Sequence, residues 1–149
     1  MGVHSLGLPP RLMGLDYGGR SLGVAVSDPL GLIAVPLENI RRPDEKSLRK
    51  SVARLGEIIQ EYRVERIILG YPLGLDGREG VGCEKVRAFR DRLLRNFEHV
   101  EVVLWDERLS SAYAQRFMAG LDAKKRARVV DEAAASAILQ GYMDGIPRT

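Results

Sequence analysis

The stretch RLMGLDYGGRSLGVAVSDPLGLIAVPLENI, residues 11–40, decides the fold. Leu12, Met13 and Leu15 form a short apolar run that ends in Asp16. Tyr17-Gly18-Gly19-Arg20 is a turn signal. Leu22 to Ser27 reads as a second strand, and Asp28-Pro29-Leu30-Gly31 as another turn, because proline presets φ and glycine tolerates positive φ. Leu32 to Ile40 gives a third strand. Pro36 has no N–H for a ladder, which argues for an edge position. Three strands joined by short turns form an antiparallel meander.

Outward from this stretch the period changes. Leu48, Val52, Leu55, Ile59 and Tyr62 recur at spacings of three and four, as one helix face does, with Pro43-Asp44 as the start signal. Val64 to Leu69 is a strand, closed by Gly70-Tyr71-Pro72 and followed by a loop from Gly74 to Gly82. Val86, Phe89, Leu93 and Phe97 mark a second helix, and Val100 to Trp105 a fifth strand. Ser110 or Ser111 is placed to cap a third helix running through Met118. A basic stretch precedes an alanine-rich helix from about Val130 to Met143. Strand, helix, strand repeats imply right-handed crossovers, which make strands one, four and five parallel. The expected class is α/β, a mixed five-stranded sheet with helices on both faces. Residues 1–10 read as a disordered lead-in, and 11–145 as a single domain.

Composition bounds the function. A chain of 149 residues suits one domain with its own core, needing no disulfide or metal staple to fold. Hydrophobic residues at 45% and charged residues at 29% fit a globular, ordered protein. No apolar run approaches the ~20 residues of a bilayer crossing, so no membrane role is expected. Met1 to Pro10 lacks a charged and then apolar signal pattern, and Leu6 breaks the myristoylation pattern after Gly2. A lone Cys83 excludes an internal disulfide and a multi-cysteine zinc site, and His4 and His99 leave little for a histidine site. A carboxylate site for a hard cation stays open.

Three carboxylates fall where such a site would form. Asp16 ends strand one, and Asp106 and Glu107 end strand five, all at the carboxyl edge where open α/β sheets bind ligands. Strands one and five flank strand four and so stand ~10 Å apart, which two inward-reaching side chains can bridge. Asp106 and Glu107 point to opposite faces, and the longer Glu107 is favoured to join Asp16. Asp131 heads a helix face with Ala134, Ile138 and Tyr142, where a buried carboxylate is costly unless paired or metal-bound. Each has a plainer reading: Asp16 as turn former, Asp106-Glu107-Arg108 as a surface ion pair, Asp131 as complement to the helix dipole. The residues alone leave both readings open.

Positive charge clusters at Lys124, Lys125, Arg126 and Arg128, just before Asp131, and can bind a polyanion or simply be solvated. Arg20 follows Asp16 and is placed to touch a phosphate, and Arg41-Arg42 form a smaller pair after strand three. The glycines of the 74–80 loop permit close backbone approach to a ligand. Walker and dinucleotide loops are absent. Trp105, Phe89 and Phe97 read as packing residues, and Cys83 as incidental.

Four blocks, MGLDYGGRSLGVAVSDPLG (13–31), IILGYPLGLDG (67–77), VVLWDERLSS (102–111) and VVDEAAASAILQGYMD (129–144), resemble the YqgF family of RuvX-like proteins. These are called pre-16S rRNA nucleases or Holliday-junction-resolvase-like proteins. The resemblance implies an RNase H-like fold and a nuclease that uses Mg²⁺ or Mn²⁺. Carried over by motif, it implies Asp16, Glu107 and Asp131 as the metal-holding catalytic acids. It implies maturation of the 5′ end of small-subunit ribosomal RNA in the bacterial cytoplasm, with structured RNA or branched DNA as partner. Two positions depart from the family pattern. Gly74 stands where PLNMDG has Asn, and Ser110-Ser111 replaces a Thr pair. On this reading Arg20 and the basic run hold the backbone without reading sequence. A non-catalytic RNA-binding assembly factor is the rival from another class, and phosphoryl transfer from ATP a third. A homodimer through an apolar helix face also stays open.

Overall fold

The computed structural model describes residues 7–109 and 123–145, with side chains described for 7–108 and 133–145. The third expected helix, 110–118, lies outside the described residues, as do residues 1–6 of the lead-in. The elements are β1 (Arg11–Tyr17), β2 (Ser21–Ser27), β3 (Ala34–Arg41), α1 (Arg49–Tyr62), β4 (Val64–Tyr71), α2 (Val81–Asn96), β5 (Glu101–Asp106), a 3₁₀ turn (Glu107–Leu109) and α3 (Ala123–Gly145).

The sheet order is β3-β2-β1-β4-β5. β2 is antiparallel to both β1 and β3, while β4 is parallel to both β1 and β5, as expected. β3 is an edge strand, and Pro36 sits where its pairing with β2 slips register. Helices cover both faces. On one, Val52, Leu55, Ile58 and Ile59 of α1 and Val86, Phe89 and Leu93 of α2 pack on Met13, Leu15, Val24, Ile67 and Leu69. On the other, Ala135, Ile138, Leu139 and Met143 of α3 pack on Leu12, Ala25 and Ile68. The alternation Leu12/Met13 and Ile67/Ile68 sends neighbouring side chains to opposite layers, as a pleated strand requires.

Several boundaries differ from the sequence reading for identifiable reasons. Pro43-Asp44 starts a turn, because Asp44 Oδ1 accepts hydrogen bonds from the N–H of Lys46 and Ser47 and from the Ser47 hydroxyl. α1 therefore begins at Arg49. β3 begins at Ala34, because the Asp28 carboxylate accepts from the N–H groups of Leu30, Leu32 and Ile33. β4 runs two residues further, through Gly70 and Tyr71. α3 begins at Ala123 and takes in the whole basic stretch.

Candidate active site

Asp16 is the next-to-last residue of β1 and half-buried. By strand alternation it shares a face with Leu12 and Gly14. Leu12 packs under α3, and a Cβ added at Gly14 would meet Ala135 O at 2.6 Å and Leu139 Cβ at 2.7 Å. Asp16 thus faces the α3 layer. Across the parallel ladder Leu15 pairs with Leu69, so Asp16 comes abreast of Gly70, which in turn pairs with Trp105 of β5.

Gly70 connects the two carboxylates. A Cβ built there would lie 2.6 Å from Glu107 Oε1, 2.9 Å from Glu107 Cγ and 2.6 Å from Ile138 Cδ1. Glu107, entering the 3₁₀ turn after β5, has folded its side chain back across β4 over a residue with no side chain of its own. It reaches Asp16 and hydrogen-bonds to it. Two carboxyl groups so placed share a proton unless a cation joins them. Burial first, then the Asp16 charge and the hydrogen bond, then Asp106, push the Glu107 carboxyl up to about 7. From sequence alone Gly70 reads only as a strand stop. An isolated glycine inside a strand pattern marks close approach of another group, and that was the available signal.

Asp106 does something else. It points away from the pair and is held by Arg108, whose Nε donates at 3.0 Å and Nη2 at 2.7 Å, with the Arg108 N–H adding a third bond. The Arg108 guanidinium keeps the Asp106 carboxyl below the usual range. The ion-pair reading of Asp106-Glu107-Arg108 is therefore correct for its outer two residues and not for Glu107.

α3 runs antiparallel to β1 and β4. Ala135 and Leu139 lie over Gly14, Ile138 over Gly70, and Tyr142 accepts a hydrogen bond from Arg66 Nη1 (3.0 Å) near the start of β4. One turn N-terminal of Ala135 is Asp131, ~6 Å along the helix. Two residues beyond Gly14 is Asp16, ~6.6 Å along the strand. The backbone of Asp131 thus stands level with Asp16, while its side chain lies outside the described residues. Among the described residues no three acidic, histidine or cysteine side chains gather as a metal site. The described pair supplies hard oxygen donors, which suit Mg²⁺ or Mn²⁺.

Lys124, Lys125, Arg126 and Arg128 occupy the first turns of α3, ahead of Asp131 and so beyond the carboxyl edge of the sheet; their side chains are outside the described residues. Arg20 is exposed at the β1–β2 turn, on an open cleft of about 700 Å³ shared with Gly19, Asp44, Glu45, Lys46 and Ser47. After β4, Gly77 turns the loop at φ 83°, and Arg108 Nη1 stands 3.5 Å from the Gly74 carbonyl. Arg87 donates to Tyr71 and Glu79, and the Tyr71 hydroxyl donates to Glu79, so this loop is tied to α2. A side chain at Gly74 would start 3.0 Å from Asp76 Oδ1.

The model of the RuvX family, described as Holliday junction resolvase, matches residues 10–145. A protein of Agathobacter rectalis, provisionally named pre-16S rRNA nuclease, is 47% identical over 136 residues, covering 90% of this chain and 94% of its own. A protein of the same name from Syntrophus aciditrophicus is 44% identical over 138 residues, covering 91% and 89%. Among solved structures, Thermus thermophilus RuvC in complex with a Holliday junction substrate superposes with a TM-score of 0.57 at 19% identity, covering 91% of this chain and 96% of that one. The fold is RNase H-like. No helix among the described residues is long and apolar enough to cross a membrane.

Proposed function

The chain belongs to the RuvX family of Holliday-junction-resolvase-like nucleases, and from that premise we propose that it cuts nucleic acid as a divalent-metal-dependent endonuclease. Asp16, Glu107 and Asp131 hold Mg²⁺ or Mn²⁺ and are the catalytic acids. The observation that carries this reading is the Glu107 side chain laid across Gly70 onto Asp16. Bringing two carboxylates together is unfavourable in itself, and a cation between them offsets the repulsion. When bound, such cations supply Lewis acidity and charge neutralisation at the scissile phosphate.

The chain's own residues do the rest. With their shared proton released to solvent, Asp16 and Glu107 would offer carboxylate oxygens to the cation. Asp131 closes the group from α3. Arg20, Lys124, Lys125, Arg126 and Arg128 hold the sugar-phosphate backbone, which fixes position and carries no sequence information. Relatives that carry the name pre-16S rRNA nuclease support that RNA as the substrate, and the proposed task is maturation of its 5′ end in the bacterial cytoplasm. The likeness of fold to RuvC bound to a Holliday junction keeps branched DNA as the second substrate to try.

The test is a Mg²⁺ and Mn²⁺ titration with structured RNA and a four-way DNA junction side by side. The wild type is expected to cut at least one of them in a metal-dependent manner. Asp16→Asn is expected to cut at least ~10³-fold more slowly while still binding it. Undiminished cleavage by Asp16→Asn removes the assignment, and wild-type binding without any cleavage favours a non-catalytic assembly factor.

A further inference from the structure

β3 and β1 are both antiparallel to β2, so β3 ends at the same sheet edge as Asp16. With β2 between them, the two strand ends stand ~10 Å apart. Between the end of β3 and the start of α1 lies a cleft of about 400 Å³, lined by Arg41, Arg42, Arg49 and Lys50 together with Ser47, Ser51, Ile40 and Pro43. Four of these eight are cations, and no acidic residue lines the cleft. Among the described residues none of the four cations forms an ion pair. Of the nearby carboxylates, Asp44 is held by Ser47 and the Lys46 N–H, and Glu45 is paired with Lys85 Nζ at 2.9 Å, with the Arg42 charge acting on it only as the weakest of its influences.

Two independent features point to an anion here. The first is the helix end. α1 starts after Leu48 with no side-chain cap and no acidic residue in its first turn. Its first N–H groups and the positive end of its dipole are left to water or a ligand. The second is Arg42, which is only 6% exposed. Its Nη2 donates to the Gly18 carbonyl, and its guanidinium lies over the Tyr17 ring at 5.0 Å. Its Nε and Nη1 are buried and have no hydrogen-bond partner. A buried guanidinium with unmet donors is costly, and an anion accepting from it removes much of that cost.

We infer that this cleft binds a phosphodiester group of the nucleic-acid backbone, with Arg42 as the buried anchor and Arg41, Arg49 and Lys50 as the exposed contacts. The nature of the anion rests on the nuclease reading above. At ~3.4 Å of rise per phosphate along one strand of a duplex, ~10 Å is about three steps. A backbone held here is led along the sheet edge towards Asp16 and Glu107. The shared chemistry is the phosphodiester, so RNA and DNA are separate arms of the test.

A labelled RNA hairpin and a four-way DNA junction are titrated in EDTA across roughly 50–200 mM salt. The proteins are the wild type, the double variant Arg49→Gln/Lys50→Gln, and Arg63→Gln at the far end of α1. Both double-variant positions are exposed, so the fold is not at risk. The double variant is expected to bind at least tenfold more weakly, with a log-affinity against log-salt slope shallower by about two, and Arg63→Gln to match the wild type. Wild-type affinity and slope in the double variant on both nucleic acids overturn the cleft, as does absence of wild-type binding to either. Metal-dependent cleavage is followed in parallel. Cleft-dependent binding without cleavage by the wild type defeats the nuclease reading and leaves the cleft standing, and cleavage with cleft-independent binding does the reverse.

Discussion

Glu107 reaches Asp16 because residue 70 has no side chain. The consequence is a carboxyl group that holds its proton to about 7, first through burial and then through the Asp16 charge. A folded-state value above the unfolded one of ~4.3 means the favourable contribution is present below the unfolded value and lost as pH rises through 7. Without metal, the wild type is therefore expected to lose stability between about pH 4.5 and pH 7. Glu107→Gln, which cannot ionise, is expected to be more stable than the wild type at pH 8 by about 1–2 kcal/mol, after allowance for solvent screening of a partly exposed group. At pH 4 the two should nearly coincide. Urea denaturation in EDTA at both pH values measures this, and a variant less stable than the wild type at pH 8 would mean that Glu107 is not buried beside Asp16. The sequence disclosed the two acids and their opposite faces, so that one alone could join Asp16, and the longer reach of Glu107 put it ahead of Asp106. It offered an ion pair within Asp106-Glu107-Arg108 but not which acid takes Arg108, because that choice depends on the local turn and not on residue type.

At the scale of elements, two glycines set how closely α3 lies on the sheet. Gly14 meets helix backbone, at the Ala135 carbonyl, whereas Gly70 meets the ends of two side chains. Side-chain ends can move and a helix carbonyl cannot without shifting the helix. Gly14→Ala is therefore expected to cost the fold more, about 2–3 kcal/mol, by lifting α3 and carrying Asp131 with it. Gly70→Ala is expected to cost less stability while displacing Glu107, so cleavage falls at least ~10²-fold. Denaturation and cleavage rates on both variants test the contrast, which fails if Gly70→Ala cuts as fast as the wild type. Five strands and their directions were legible in apolar alternation and crossover rules. The starts of β3 and α1 were not, since the Asp28 and Asp44 carboxylates engage backbone donors in turns that propensity does not distinguish from strand or cap. The start of α3 at Ala123 is also not legible, because a run of Lys and Arg has good helix propensity but no apolar face to reveal it.

For the whole molecule, the topology gathers acids at one sheet edge and cations around them. Asp16 and Glu107, 91 positions apart in the chain, meet there. The backbone of Asp131 stands level with them on α3, with basic residues ahead of it and a second basic cleft two strands away. Strand order alone leads from the sequence to that edge and leaves open whether the acids converge or serve as turn former, ion pair and dipole complement. Two of them converge. The third is the point on which the account turns, and Mn²⁺ binding tests it most directly. Calorimetric titration of metal-stripped wild type, Asp16→Asn, Glu107→Gln and Asp131→Asn is expected to give Mn²⁺ binding in the wild type, weakened at least tenfold by each single substitution. Wild-type Mn²⁺ affinity in Asp131→Asn, or no Mn²⁺ uptake by the wild type, would contradict a site built from these three acids.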